Sequence, residues 1–182
     1  NLVYSSVILE QPLEKYIEKA QLIVKGVVIK KEAKEEKHLL KQYTMSNGVL
    51  SENRTEVDAI YTTFTIKIDE ILYGSHDEKT IDVKMLGGCN DEGSCLNISS
   101  NYDFEVENNI VLFLNFDEVN GFFRSTSNGI TAYLVHENSS LVRAGEFVVA
   151  NRNNQILSEK LQENKLTMEK LKTKIQDVKN EQ

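Results

Sequence analysis

The sequence predicts a mainly β protein with flanking helices, built as a small antiparallel barrel that is closed or partly open. Three observations favour this fold class. Several short segments are rich in β-branched residues or alternate between apolar and polar positions, turn signals separate them, and an amphipathic helical pattern lies near each end. Because 182 residues suit one ordinary domain, we expect a single domain over 1–182 with the barrel core at about 20–150.

The N-terminal helix is predicted from about Pro12 to Ala20, where apolar residues recur at helical spacing. Pro12 suits the first position of a helix because its missing N–H is not needed there. The β-branched segment from Leu22 to Ile29 follows and indicates a long first strand. Gly26 interrupts this segment at a point where we expect a bulge or a bend.

The segment from 30 to 57 differs from its neighbours in charge. It opens with a nearly continuous run of charged residues and later contains the turn signal Ser46-Asn47-Gly48. Two interpretations are open, a helical extension and a mobile hairpin loop. We refer to residues 30–57 as the charged loop.

A hairpin is predicted after this loop. Positions 60–68 alternate with the period of two that is typical of a half-buried strand. Ile71 and Leu72 break the alternation, which indicates a bulge before the turn at residues 73–75. The second strand of the hairpin is expected at residues 81–85, where apolar and charged residues alternate again.

The second half of the chain predicts further strands and a final helix. Residues 110–116 are mostly apolar, as in a central or barrel-closing strand, and short strands joined by turns are expected over 121–150. The C-terminal helix is predicted at about 166–179, with Thr167 as its N-cap. Its apolar stripe consists of Met168, Leu171, Ile175 and Val178. We expect this helix to pack on the barrel, and a dimerisation helix is the alternative.

The two cysteines, Cys89 and Cys95, lie in a glycine-flanked polar segment. Their spacing closes a small loop easily, so a disulfide is the leading interpretation, which would indicate an oxidising compartment. Two free surface thiols are the alternative. A zinc site is less favoured because the spacing is not CxxC and no histidine is close in sequence.

Charge and composition limit the possible partners. The net charge of −7 repels phosphate backbones and anionic lipid head groups, so we expect no nucleic-acid partner. No apolar run approaches the roughly 20 residues that span a bilayer, so no transmembrane segment is expected.

Four stretches carry a family resemblance: Leu13 to Val28, Tyr61 to Gly74, Ile81 to Lys84, and Ile110 to Leu114. In these stretches the chain resembles a family of exported bacterial proteins. More distantly, it is similar to the netrin-like domain of the tissue inhibitors of metalloproteinases, which has an OB-type barrel flanked by helices. The resemblance covers most of residues 10–180 and implies an OB-fold-like barrel in an exported, extracellular or cell-surface protein.

The resemblance also implies that a lipid anchor can precede Asn1, attached to an upstream cysteine. One feature of the inhibitors is missing. They chelate the zinc of the protease through an N-terminal cysteine, whereas this chain has Asn1 and no cysteine before Cys89. We therefore do not expect the zinc-chelating mechanism to carry over.

No motif points to catalysis. The chain lacks a nucleophile elbow, a phosphate-binding loop, a dinucleotide-binding glycine pattern and an HExxH helix. The three histidines, His38, His76 and His136, are interpreted as ordinary surface residues, and Asn90-Asp91-Glu92 as a solvated acidic loop. We assign no catalytic residue, no metal site and no cofactor, and we expect a protein that is not an enzyme.

Aromatic residues suggest a binding face, since OB-type barrels commonly bind extended ligands on aromatic platforms. The candidates are Tyr61, Phe122, Phe123 and Tyr133, with core packing as the alternative for most of them. We expect a secreted or surface-anchored binding module for a protein or a cell-wall glycan, as a monomer or weak dimer. The alternatives are a protease inhibitor and a hydrolase or metal-dependent enzyme.

Overall fold

A computed structural model of the protein describes residues 7–9, 11–46, 48–98, 100–145, 148–150, 156–157 and 166–181. The helices are α1 (Leu13–Lys19) and α2 (Met168–Asn180), and a short 3-10 turn covers Asn128–Thr131. The strands are β1 (Val7–Leu9), β2 (Leu22–Ser46), β3 (Val49–Tyr73), β4 (Thr80–Leu86), β5 (Gly88–Cys89), β6 (Cys95–Leu96), β7 (Asn109–Asp117), β8 (Phe122–Ser125), β9 (Ala132–Val135), β10 (Leu141–Arg143), β11 (Val148–Ala150) and β12 (Ile156–Leu157).

The main sheet is partly closed into a barrel. Its strand order is β10-β9-β7-β2-β3-β4-β8, and β8 also pairs with β7, so that the five strands β7, β2, β3, β4 and β8 form a ring. Most pairs in this ring are antiparallel, and β4 and β8 meet in parallel at Val83 and Phe123. The prediction of a mainly β protein with an N-terminal and a C-terminal helix is confirmed.

The alternating segment at 60–68 lies in β3, and its apolar face lines the barrel interior. Phe64 and Ile66 are fully buried, and they pack with residues of β2, β4 and β7. Tyr102 also lies in this core, with its ring centroid 5.6 Å from that of Phe64 and 5.0 Å from that of Phe104. Burial raises the pKa of the Tyr102 hydroxyl well above its ordinary value.

Both helices pack on the outside of the sheet, where they share a second core with β7. Tyr16 and Ile17 of α1 meet the buried stripe of α2 and Phe113 of β7. The predicted N-cap is confirmed, because the Thr167 Oγ1 accepts a hydrogen bond of 3.3 Å from the Lys170 N–H. The helix stripe is buried within its own chain, so it is not a free dimerisation surface.

The strands β2 and β3 form a hairpin with bulges at the positions that the sequence indicates. The register between β2 and β3 shifts beside Gly26 and again at Leu72. At Gly26 the strands approach so closely that a Cβ atom would collide with the Lys67 carbonyl oxygen. These bulges let two long strands bend around the barrel core.

Of the two interpretations of residues 30–57, the helical extension is wrong, and the segment forms a hairpin of regular strands rather than a loop. β2 continues to Ser46 and β3 begins at Val49, so the segment consists of two antiparallel strands that are each part of a 25-residue strand. The charged residues do not break the strands because they lie at exposed positions and pair with one another, as Lys37 and Glu56 do at 3.1 Å. A strand pair with two solvated faces has no buried face to create an apolar alternation.

Candidate functional site

The most distinctive surface is a two-stranded arm formed by residues 39–56 of β2 and β3. Other barrel strands pair with these two strands only nearer the barrel. β7 pairs with β2 at residues 22–27, and β4 pairs with β3 at residues 61–67. From Leu39 to Ser46 the arm extends about 23 Å at the usual rise of a strand. The described side chains of residues 41–56 are exposed.

One face of this arm carries the large exposed apolar side chains. Residues 39, 41, 43 and 45 pair with 56, 54, 52 and 50, and alternation places all eight side chains on the same face. Large exposed apolar residues are concentrated there, with Tyr43 59%, Met45 75% and Leu50 61% exposed. We call Tyr43, Met45 and Leu50 the apolar arm face.

The described side chains on the opposite face of the arm are polar. Thr44 Oγ1 and Ser51 Oγ are 2.7 Å apart, and the Asn53 amide nitrogen lies 3.5 Å from Thr44 Oγ1. We call Thr44, Ser51 and Asn53 the polar arm face. The two named sets of residues therefore differ in chemistry, large and apolar against small and polar, which provides a matched pair for substitution.

Charges border the apolar arm face and compensate one another. Glu52 accepts hydrogen bonds from Tyr43 at 3.2 Å and from Arg54 at 3.1 Å, and Lys41 lies 4.0 Å from Glu52. The hydrogen bond from Arg54 holds the pKa of Glu52 below its ordinary value. With Glu56, the arm carries two positive and two negative side chains, so its net charge is zero in a chain of net charge −7.

Asn120 fixes the base of the arm to the turn between β7 and β8. Its Oδ1 accepts a hydrogen bond of 2.9 Å from the Leu39 N–H, and its Nδ2 donates one of 3.2 Å to the Leu39 carbonyl. Asp117 orients Asn120, because Asp117 Oδ1 accepts from the Asn120 N–H at 3.2 Å. Burial raises the pKa of Asp117, but hydrogen bonds from Asn120 outweigh it and the net pKa is lowered.

An aromatic and ionic cluster lies beside this base. The His38 ring centroid is 4.0 Å from that of Tyr61 and 5.1 Å from that of Phe122. Glu36 Oε2 contacts both His38 Nε2, at 3.0 Å, and Lys84 Nζ. Burial raises the pKa of Tyr61, and its carboxylate neighbours raise it further. We call these five residues the root cluster.

Two electrostatic details refine the root cluster. Burial raises the pKa of Glu36, but the hydrogen bonds from Lys84 and His38 outweigh it, so the net pKa is lowered. The Lys84 ammonium also lies 5.7 Å from the centroid of the Phe122 ring.

The expectation that His38 is a surface residue is wrong, since its exposure is 7%. The continuation of β2 turns its ring toward Tyr61 and Phe122.

The four aromatic residues predicted as one ligand face do not come together. Tyr61 and Phe122 share the root cluster, with centroids 6.2 Å apart. Phe123, the next residue along β8, instead contacts Phe116 at 5.1 Å and His76 at 5.7 Å.

Tyr133 lies elsewhere, at 3% exposure in the core beneath the helices. Its ring packs 6.0 Å from that of Phe113. Because a buried core residue cannot line a surface, the single face of four aromatics is not formed.

Sequence patterns did not predict the apolar arm face, Asn120, or the contacts of Glu36, His38 and Lys84. The sequence signal for the arm is the turn signal Ser46-Asn47-Gly48.

The remaining candidates from the sequence are the two cysteines, the acidic cluster between them and His136. Cys89 and Cys95 form a disulfide, which confirms the leading interpretation of their spacing. The acidic cluster lies in the exposed turn between them, where Asn90 Oδ1 accepts a hydrogen bond of 2.9 Å from the Ser94 N–H. His136 is exposed. Within the described ranges no group of three or more His, Cys, Asp or Glu side chains is placed to hold a metal ion.

Comparison with known proteins adds no assignment. No protein-family model, curated protein or solved structure matches the chain significantly. Among the residues that the structure describes, no helix combines the length and apolar character required to cross a membrane.

Proposed function

We propose that the protein is a secreted or surface-anchored, non-enzymatic binding module that contacts a protein ligand through the apolar arm face. One observation carries this proposal: Tyr43, Met45 and Leu50 are exposed together on an arm that projects from the barrel. An isolated two-stranded ribbon cannot bury its own apolar face. A partner surface would remove these side chains from water, which is favourable at about 25 cal/mol per Å².

The composition of the arm favours a protein over a cell-wall glycan as the ligand. Tyr, Met and Arg are enriched in protein interfaces, and the arm presents Tyr43, Met45 and Arg54 on one face. The charged residues that border the apolar arm face would orient the ligand rather than attract it strongly, because exposed ion pairs contribute little free energy. A cell-wall glycan is the competing ligand.

We also propose an OB-type, netrin-like barrel, which accords with the resemblance to exported proteins. The ring order β7-β2-β3-β4-β8, with its parallel contact between β4 and β8, supports this proposal. In OB-type barrels, ligands bind at the connection between the first two strands and at the connection between the last two. In this chain those connections are the arm and the turn that contains Asn120.

The proposed location outside the cell rests on two supports. The Cys89–Cys95 disulfide is typical of oxidising compartments, and the resemblance is to exported proteins. A lipid anchor upstream of Asn1 is part of the same proposal.

The ligand proposal can be tested by site-specific photo-crosslinking. A benzophenone side chain is introduced at Leu50, on the apolar arm face, or at Ser51, on the polar arm face, and each protein is added to cells that produce the native chain. We expect the Leu50 probe to capture one defined protein that the Ser51 probe does not capture. The variant Tyr43→Ser/Met45→Ser should lose this product, whereas Thr44→Ala/Asn53→Ala should keep it.

Two outcomes would contradict the ligand proposal. Equal labelling from both positions would mean that the arm face has no preferred partner. Binding to purified insoluble cell-wall glycan that is unaffected by Tyr43→Ser/Met45→Ser, without any protein product, would instead favour a glycan site elsewhere.

A second candidate function is protease inhibition without N-terminal zinc chelation. The arm favours it because an exposed, narrow hairpin has the shape of an element that can enter a protease cleft. A panel of secreted metalloproteases and serine proteases, assayed with about 10 µM protein, tests it directly. Full activity of every protease would remove this candidate.

A further inference from the structure

The sulfur-containing side chains of the protein differ in how easily an oxidant can reach them. The chain has two cysteines and three methionines. Cys89 and Cys95 form a disulfide, so no thiol competes for an oxidant. Met85 is 9% exposed and Met168 is 8% exposed, whereas Met45 is 75% exposed. Oxidation of sulfur follows exposure, so Met45 is the residue that an oxidant meets first.

Met85 and Met168 are protected by the two cores. Met85 of β4 packs in the barrel interior with Phe64 and Ile66, and Met168 of α2 packs in the core that the helices share with β7. A dissolved oxidant reaches such residues only when the surrounding structure opens locally. Met45 requires no opening, because it lies on the exposed arm.

We propose that Met45 is a reversible oxidation site and that its oxidation to the sulfoxide weakens ligand binding by the apolar arm face. The inference names a regulation of that face, so it rests on the proposed function. The oxidant is a peroxide. The Met45 sulfur attacks one peroxide oxygen with a lone pair, and the S–O bond forms as the O–O bond breaks. The released hydroxide takes the proton of the transferred OH group and leaves as water, so methionine is oxidised by two electrons and the peroxide is reduced by two.

The sulfoxide places a polar oxygen within the apolar arm face. Met45 is directly opposite Leu50 on the arm and shares its face with Tyr43. The Tyr43 hydroxyl already donates to Glu52 at 3.2 Å, so it is not free to satisfy a new acceptor. Contact with a ligand removes the sulfoxide oxygen from water while Tyr43 supplies no donor, which is unfavourable. We expect binding to weaken at least about fivefold.

The fold itself should not respond to this oxidation. The Met45 side chain is exposed, and β2 and β3 are held together here by backbone pairing. Oxygen added to Met45 therefore stays in water in the free protein and leaves the buried cores unchanged. We expect the Tm of the Met45 sulfoxide to lie within about 2 °C of that of the unoxidised chain. Oxidation of Met85 or Met168 would instead put a polar atom into a core and lower the Tm.

Peptide mass mapping of the purified, disulfide-bonded chain after brief treatment with hydrogen peroxide tests the site. The rate at which each methionine gains one oxygen atom is measured. We expect Met45 to react at least about tenfold faster than Met85 and Met168. In urea, where the cores no longer protect them, the three rates should agree within about threefold. Similar rates in the folded chain would overturn Met45 as a selective site.

The photo-probe at Leu50 tests the regulation. Chains that carry the probe are oxidised until Met45 is converted, freed from peroxide and added to cells that produce the native chain. We expect the captured protein product to fall at least about fivefold. The product should return after treatment with the two methionine sulfoxide reductases, one for each epimer of the sulfoxide.

Two variants locate the effect, and each is compared with itself before and after peroxide. Met45→Leu keeps an apolar side chain of similar size but has no sulfur, so peroxide should leave its product unchanged. Met85→Leu removes a buried methionine and keeps Met45, so peroxide should reduce its product as in the wild type. An equal fall in both variants would place the oxidation effect elsewhere and overturn the regulation.

These outcomes are distinct from those of the ligand test. Mass mapping uses the purified chain alone, so it decides the oxidation site whether or not a ligand is captured. A probe at Leu50 that captures no protein even before oxidation would contradict the proposed function, and with it the regulation. A defined product that is unchanged when Met45 is fully oxidised would overturn the regulation alone.

Discussion

Asn120 occupies the backbone edge of β2 at one residue, as a neighbouring strand would. Its amide offers an acceptor to the Leu39 N–H and a donor to the Leu39 carbonyl. Few side chains can do both, since a carboxylate only accepts and an ammonium only donates. The residue therefore couples the direction of the arm to the turn between β7 and β8.

Replacing Asn120 should loosen this base without unfolding the barrel. In Asn120→Ala the Leu39 N–H loses its partner, so we expect its amide hydrogen exchange to accelerate at least about tenfold. Asn115→Ala is the control, because Asn115 lies on β7 and its Oδ1 accepts from the Gln21 N–H at 2.9 Å. Unchanged exchange at Leu39 in Asn120→Ala would contradict the role of Asn120.

At the scale of an element, Glu36 links the part of the β2–β3 hairpin nearest the barrel to β4. Its carboxylate on β2 accepts from Lys84 on β4 and contacts His38. Hydrogen bonding to Lys84 and His38 favours the ionised carboxylate, so the pKa of Glu36 is lowered despite burial. A carboxyl with a lowered pKa stabilises the fold above its ordinary pKa, and this contribution disappears as the pH falls through the lowered value.

Acidification should therefore abolish the contribution of Glu36. We expect Glu36→Gln to lower the free energy of unfolding by about 1 kcal/mol near neutral pH, and this difference from the wild type to vanish below the lowered pKa, under the ordinary value of 4.5. Urea denaturation at a series of pH values measures it. Glu35→Gln is the control because Glu35 is exposed. A difference that stays constant with pH would contradict the assignment.

The elements differ in how well the sequence predicts them. Phe64 and Ile66 reveal their strand because one face is buried, and the α2 stripe reveals its helix for the same reason. The arm lacks a buried face, so its strands are held by backbone pairing and charge pairs that hydrophobic periodicity does not report. The root cluster is predicted only in part, because Tyr61 and Phe122 are candidates for one face but His38 is not. Pairing of β2 with β3 brings His38 to Tyr61, and the ring closure adds Phe122.

At the scale of the whole molecule, stability and recognition are located in different parts. The barrel interior and the core beneath the helices hold the buried apolar residues. The arm instead exposes its apolar residues. The −7 charge belongs to the remainder of the chain, since the arm sums to zero. A molecule divided in this way should tolerate loss of the arm.

Shortening the arm tests this division. Deleting residues 41–46 and 49–54 joins Leu40 to Asn47 and Gly48 to Thr55. Because Leu40 pairs with Thr55 in the same alternating set as Ser46 with Val49, the same turn can close the shorter hairpin. We expect the Tm to change by less than about 2 °C, while the photo-crosslinked ligand is lost. A fall of about 10 °C or more would instead show that the arm supports the barrel, and it would contradict the separation of stability from recognition.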